Sequence, residues 1–132
     1  MQLYLWIMLG SALGGGARFF FSGLVANWIG GTFPWGTLVV NVTGSFIIGF
    51  FASLTGPGGR IFVGGTGRQF FMAGICGGYT TFSSFSYSTL TLAQDDEWLR
   101  AGGNVMLSVF CCLAAVWLGH LAAVPINRLK GS

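Results

Sequence analysis

The sequence predicts an all-α membrane protein: one domain, residues 1–132, with four transmembrane helices. Only 7% of its residues are charged and 53% are hydrophobic, whereas an ordinary globular domain carries about 25% charged residues. Glycine contributes 23 residues, as expected where membrane helices pack closely. So few charges cannot cover a soluble surface, which excludes a soluble enzyme. The expected surroundings of such an apolar chain are the lipid bilayer. The basic residues form no cluster, which argues against nucleic acid as a partner.

Four apolar stretches are long enough to cross a bilayer core of about 30 Å as helices. The predicted spans are residues 3–28, 35–54, 69–92 and 99–124. Pro34 precedes the second span and Pro125 follows the fourth, as expected of helix boundaries. Residues 55–60 form a turn cluster. Residues 64–67 are either a second turn or the approach to the third helix.

The basic residues give a weak orientation signal. One side of the membrane receives Arg60, Arg68, Arg128 and Lys130, and the other receives Arg100 and, leaning that way, Arg18. The bias favours both termini in the cytoplasm under the positive-inside rule. Because the bias is small, insertion in both orientations remains the alternative.

Small residues recur at a spacing of four. Gly10 and Gly14 form one GxxxG pair, and Gly74 and Gly78 form another. This spacing lets membrane helices approach closely. It predicts helix packing, either within one chain or between two copies.

The third predicted span contains two adjacent glycines, Gly77 and Gly78. Adjacent glycines within a span predict a helix break there. Backbone carbonyls freed at that depth must be buried in protein or line a cavity, and such breaks often coordinate ions.

A dense run of hydroxyl side chains follows these glycines. Thr81, Ser84 and Ser88 share one helical face by their spacing, and Phe82 and Phe85 share a neighbouring face. A few hydroxyls in a span bond back to helical carbonyls. The density of this run beside a predicted break favours a polar pathway instead.

Two further polar residues lie within predicted spans. Asn41 lies a turn after Thr37 and must find a partner, since a buried, unpaired amide costs a few kcal/mol. An interhelical hydrogen bond and a place in the pathway are both open to it. Arg18 either faces a cavity or partner or extends its side chain to the headgroups.

Charge placement separates two classes of transporter. Proton-coupled cation export, as in small dual-topology multidrug antiporters, generally needs a carboxylate in the membrane. The acidic residues are bunched at 95–97, outside the spans, where they suit the positive end of the fourth helix dipole. A multidrug antiporter is therefore the disfavoured alternative.

Two motifs together resemble one family. Residues 35–46, WGTLVVNVTGSF, resemble the GTLxVNxxGsF signature of the Fluc (CrcB-type) fluoride channels. Residues 77–85, GGYTTFSSF, resemble that family's GGxTTFSTF signature. The resemblance covers essentially the whole chain. It implies a passive channel, not an enzyme, that exports cytoplasmic fluoride across the inner membrane as an antiparallel homodimer with two pores.

The resemblance also implies roles for individual residues. The fluoride pathway comprises Asn41, Phe82, Phe85, Thr37, Thr81, Ser84, Ser88 and Ser108. Arg18 matches an arginine near the aqueous vestibule. The backbone carbonyls of Gly77 and Thr80 match those that hold a structural sodium ion between the two copies. Two positions depart from the pattern, since Asn104 replaces an expected tyrosine and Cys112 replaces a serine.

Overall fold

The computed structural model describes residues 1–130, which are mostly helical with no strand among them. The elements are α1 (Gln2–Ile29), α2 (Trp35–Thr55), α3 (Gly65–Gln69), a π-helical segment (Phe70–Cys76), α4 (Gly77–Tyr79), α5 (Phe82–Gln94) and α6 (Trp98–Lys130). Helices α1, α2 and α6 are each long and apolar enough to cross a membrane. The third predicted span is divided into the short elements of residues 65–94, hereafter the broken segment.

The break in the broken segment lies at Thr80 and Thr81, and its prediction at Gly77 and Gly78 was wrong by three residues. Both glycines are helical, whereas Thr80 (φ −82°, ψ 156°) and Thr81 (φ −150°, ψ 119°) are extended. Gly78 instead serves close packing. A Cβ there would lie 2.5 Å from the Ser11 carbonyl oxygen.

Helix α6 does not end at Pro125, which corrects the prediction that this proline lies beyond the helix. Pro125 lies within α6, which continues to Lys130. The additional turns are held by Asn127, whose Nδ2 donates to the Ser53 carbonyl at 3.0 Å. Its Oδ1 accepts the Arg60 N–H at 2.8 Å. These bonds to the end of α2 and the following loop offset the donor that proline removes.

Glycines set how closely the helices approach one another. Helix α1 packs on the broken segment, where a Cβ on Gly14 would lie 2.1 Å from the Ile75 carbonyl oxygen. Helix α2 packs on α6, where a Cβ on Gly119 would lie 2.2 Å from the Phe46 carbonyl oxygen. The GxxxG positions of α1 and the broken segment therefore pack against each other within one chain, which confirms one of the two alternatives for them.

Candidate functional site

Asn41 of α2 holds the break in place. Its Nδ2 donates to the Thr81 carbonyl at 3.0 Å, and its Oδ1 accepts the Thr81 N–H at 2.7 Å. The side-chain amide thus supplies the hydrogen bonds that the Thr81 backbone N–H and C=O would otherwise make within a helix. The Thr81 hydroxyl in turn accepts the Ser84 N–H at 3.1 Å, which caps α5. The interhelical hydrogen bond that was open to Asn41 is therefore present.

An open cavity of about 420 Å³ lies beside the break, between α2, α6 and the broken segment. Five of the residues that the resemblance assigns to the fluoride pathway line it: Asn41, Thr81, Phe82, Phe85 and Ser108. Gly77, Thr80 and Cys112 also line it. The structure thus gathers residues from three helical segments around one space.

Two phenylalanines, Phe82 and Phe85, line this cavity. Their ring centroids are 5.4 Å apart and their planes are inclined by 57°. Phe82 is 78% exposed within the single chain. Because a ring edge is electropositive, this inclined pair can offer edges to an anion.

Three of the pathway residues lie outside the lining of the 420 Å³ cavity. Ser84 and Ser88 are half-buried on α5 and share one face by their four-residue spacing. Thr37 lines a second cavity of about 300 Å³, between the end of α1 and the start of α2. The single chain therefore does not join all of the assigned positions into one space.

Arg18 reaches the break from α1. Its Nε donates to the Gly78 carbonyl at 3.2 Å, and the side chain is half-buried. Contact with protein backbone favours the interpretation that Arg18 faces a partner over the one in which it extends to the headgroups. The guanidinium places positive charge beside the break.

The backbone oxygens of Gly77 and Thr80 suit a sodium ion. The Thr81 N–H, the helical donor expected for the Gly77 carbonyl, bonds to Asn41 instead. The Ser84 N–H, the donor expected for the Thr80 carbonyl, bonds to the Thr81 hydroxyl. Both carbonyl oxygens are thereby released from the helical ladder, and unwound backbone carbonyls are typical sodium ligands in membrane proteins.

Several contacts near the site were missed from the sequence. Asn104 is only 1% exposed, and its Nδ2 donates to the Thr89 hydroxyl at 2.9 Å. The Thr43 and Tyr79 hydroxyls lie 2.9 Å apart. The sequence feature that could have indicated these contacts is the presence of polar residues, Asn104, Thr43 and Thr89, within predicted spans. Polar groups in an apolar setting need hydrogen-bond partners.

A broken span beside a cavity of amide, hydroxyl and aromatic groups defines a small helical membrane protein built around an interrupted helix. Residues 5–120 match the family described as "CrcB-like protein, Camphor Resistance (CrcB)". The chain belongs to this family. As a member with several spanning helices, it is a multi-pass protein of the inner membrane.

Similar proteins match over nearly their full length. A protein of Opitutus terrae named "Fluoride-specific ion channel FluC" is 67% identical, with all of both chains covered. A protein of the same name from Methylocella silvestris is 63% identical over 98% of each chain. One from Rhodospirillum rubrum is 61% identical over 95% of this chain and 97% of the relative.

Proposed function

We propose that the chain is a passive, fluoride-selective channel that lets cytoplasmic fluoride leave the cell. The observation that best supports this proposal is the 420 Å³ cavity at the break. Its described lining offers amide, hydroxyl and ring-edge groups and includes neither acidic nor basic side chains. The names of the highly identical relatives support the same ion. Hydrogen fluoride enters cells uncharged and dissociates inside, so a passive path allows the anion to leave.

The lining suits a small, strongly hydrated anion. One N–H of the Asn41 amide bonds to Thr81, and the second can donate to fluoride. Ser108 supplies a hydroxyl, and Phe82 and Phe85 supply ring edges. These groups replace water without a fixed full charge, so the ion can also leave. Arg18 adds positive potential from outside the narrow path.

A multidrug antiporter remains disfavoured on the same grounds. Its chemistry needs a carboxylate at the transport site. Glu97 instead pairs with Arg100 at 3.5 Å at the start of α6, away from the cavity lining.

Purified protein in liposomes loaded with equal potassium fluoride and potassium chloride tests the function. With a potassium ionophore present, fluoride should leave and chloride should stay. No fluoride efflux above empty liposomes, or equal efflux of both ions, overturns the proposal. Phe82→Leu, which removes a ring edge, should slow fluoride efflux at least tenfold. Phe62→Leu is the matched control, because Phe62 is 91% exposed and outside the cavity lining.

The functional unit of this proposal is an antiparallel homodimer with two pores. In the single chain the cavity opens outward beside exposed Phe82, and Ser83 and Ser86 are also exposed. Irregular backbone cannot face lipid, and a second copy would cover it. Insertion of the chain in both orientations agrees with the small charge bias.

Labelling of a single cysteine tests this insertion. If the chain inserts in both orientations, a membrane-impermeant thiol reagent should label Pro57→Cys, in a chain without its native cysteines, from both sides of the membrane.

A structural sodium ion between the two copies completes this arrangement. Gly77 and Thr80 would hold it through backbone carbonyls, two from each copy. Bound there, the ion would fix the interface and add positive potential near both pores. No side-chain carboxylate is needed for such a site.

Sodium should therefore stabilise the dimer. Exchange of sodium for potassium at equal ionic strength should lower the melting temperature by about 3 °C or more, since a ligand stabilises the state that binds it. Thr80→Val keeps the carbonyl and loses only the hydroxyl, which bonds to the Cys76 carbonyl at 3.0 Å. This variant should keep the sodium effect. Loss of the effect in Thr80→Val contradicts a backbone site.

A further inference from the structure

A directional chain of hydrogen bonds joins α6 to α5 behind the cavity. The Phe85 carbonyl can only accept, so the Thr89 hydroxyl donates to it at 2.8 Å. Thr89 must then accept from the Asn104 Nδ2 at 2.9 Å. This fixes the orientation of the amide and turns its Oδ1 toward Ser108. The Ser108 hydroxyl therefore donates to Asn104, at 3.4 Å.

The chain of bonds determines where the Ser108 proton points. Ser108 is only 8% exposed but lines the cavity. With its proton directed at Asn104, the oxygen presents lone pairs to the cavity, which repel an anion. To bind fluoride, Ser108 must rotate its O–H away from Asn104.

We infer that Asn104 is a positioning residue that holds the Ser108 hydroxyl in its anion-repelling orientation and so weakens fluoride binding. The inference rests on the proposed function, because it concerns the same cavity. The distance of 3.4 Å exceeds the range of about 2.5–3.0 Å that is usual for an O–H···O bond, so this bond is weak and an arriving anion can take the proton. Asn104 thereby competes with fluoride for one donor. Weak binding of this kind helps an ion leave a pore.

The position of Asn104 supports this indirect role. It is 1% exposed and does not line the cavity, so it acts through Ser108 and not by contact with the ion. Its bonding also links two lining residues, since the chain of bonds begins at Ser108 and ends on Phe85. The departure from the family's expected tyrosine thus has a defined consequence in this chain.

A double-mutant cycle tests the inference by the fluoride concentration that gives half-maximal efflux. Asn104→Leu has a similar volume but no acceptor. It should lower that concentration about twofold, the factor expected for a neutral hydrogen bond at the weak end of the usual range. In a Ser108→Ala background the same substitution should change nothing, because the proton it releases is absent. An equal change in both backgrounds, or no change in either, overturns the inference.

Thr89→Val gives a second test without altering position 104. It removes the acceptor that fixes the amide, so Asn104 can turn its NH2 toward Ser108 and release the serine proton. The half-maximal concentration should again fall. Thr91→Val is the matched control, because Thr91 bonds to its own helix at 2.9 Å through the Tyr87 carbonyl. Equal effects of Thr89→Val and Thr91→Val overturn the inference. Absence of fluoride efflux from the unmutated protein overturns the proposed function as well.

Discussion

Replacing Asn41 with leucine should reduce fluoride efflux at least a hundredfold and lower the free energy of unfolding. Leucine removes both partners of the Thr81 backbone, which lie 3.0 and 2.7 Å from the amide. An unpaired buried polar group costs about 1–3 kcal/mol, and these two bonds are part-buried. In the proposed function, the substitution also removes the N–H that would face the anion. Loss of about 2.7 kcal/mol at the binding step corresponds to a hundredfold.

Comparison of Asn41→Asp with Asn41→Leu separates the structural role of Asn41 from its role as a donor to the anion. Asn41→Asp keeps an acceptor for the Thr81 N–H but places a negative carboxylate on the anion path. Efflux should stop while the circular dichroism of the helices is retained. Asn27→Leu is the control, since Asn27 is exposed near the end of α1. Fluoride efflux that survives Asn41→Leu would exclude this cavity as the pathway.

The helical pattern of the chain was predictable because apolar length and loop residues act locally. All four predicted spans correspond to helical segments, and the third is broken near its middle. The position of the break was less accessible. Glycine propensity favoured Gly77, but the actual break depends on Asn41, which lies 40 residues before Thr81. A long-range hydrogen bond of this kind leaves no mark in the local sequence.

The polar and aromatic residue types of the candidate site were predictable from the sequence, but the hydrogen bonds behind the cavity lining were not. Asn41, Phe82 and Ser108 line one cavity, and their role in a fluoride pathway stays a prediction. The bond from Asn104 to Thr89 was not foreseen, because it depends on how α5 and α6 face each other. The π-helical register of residues 70–76 was equally hidden. It lies where Gly74 meets Gly10, a contact set by packing and not by local propensity.

Substitution of alanine for two nearby glycines of α1 should lower stability at Gly14 and should not lower it at Gly16. At Gly14 an added Cβ would lie 2.1 Å from the Ile75 carbonyl oxygen and 2.8 Å from the Tyr79 nitrogen. Both are backbone atoms, so α1 and the broken segment must separate. Overpacking of this kind costs about 1–3 kcal/mol or more. At Gly16 a Cβ meets nothing within 4 Å, and alanine improves helix propensity by about 1 kcal/mol.

Unfolding of the purified variants in a graded detergent titration measures both changes. Gly14→Ala should lower the free energy of unfolding and also slow fluoride efflux, because Tyr79 directly precedes the break. Gly16→Ala should leave the free energy equal or higher. Similar loss in both variants would mean that the Gly16 face is also closely packed, which in the proposed dimer requires the second copy to seat on α1. Equal stability of Gly14→Ala and the unmutated protein would contradict the close packing of α1 on the broken segment.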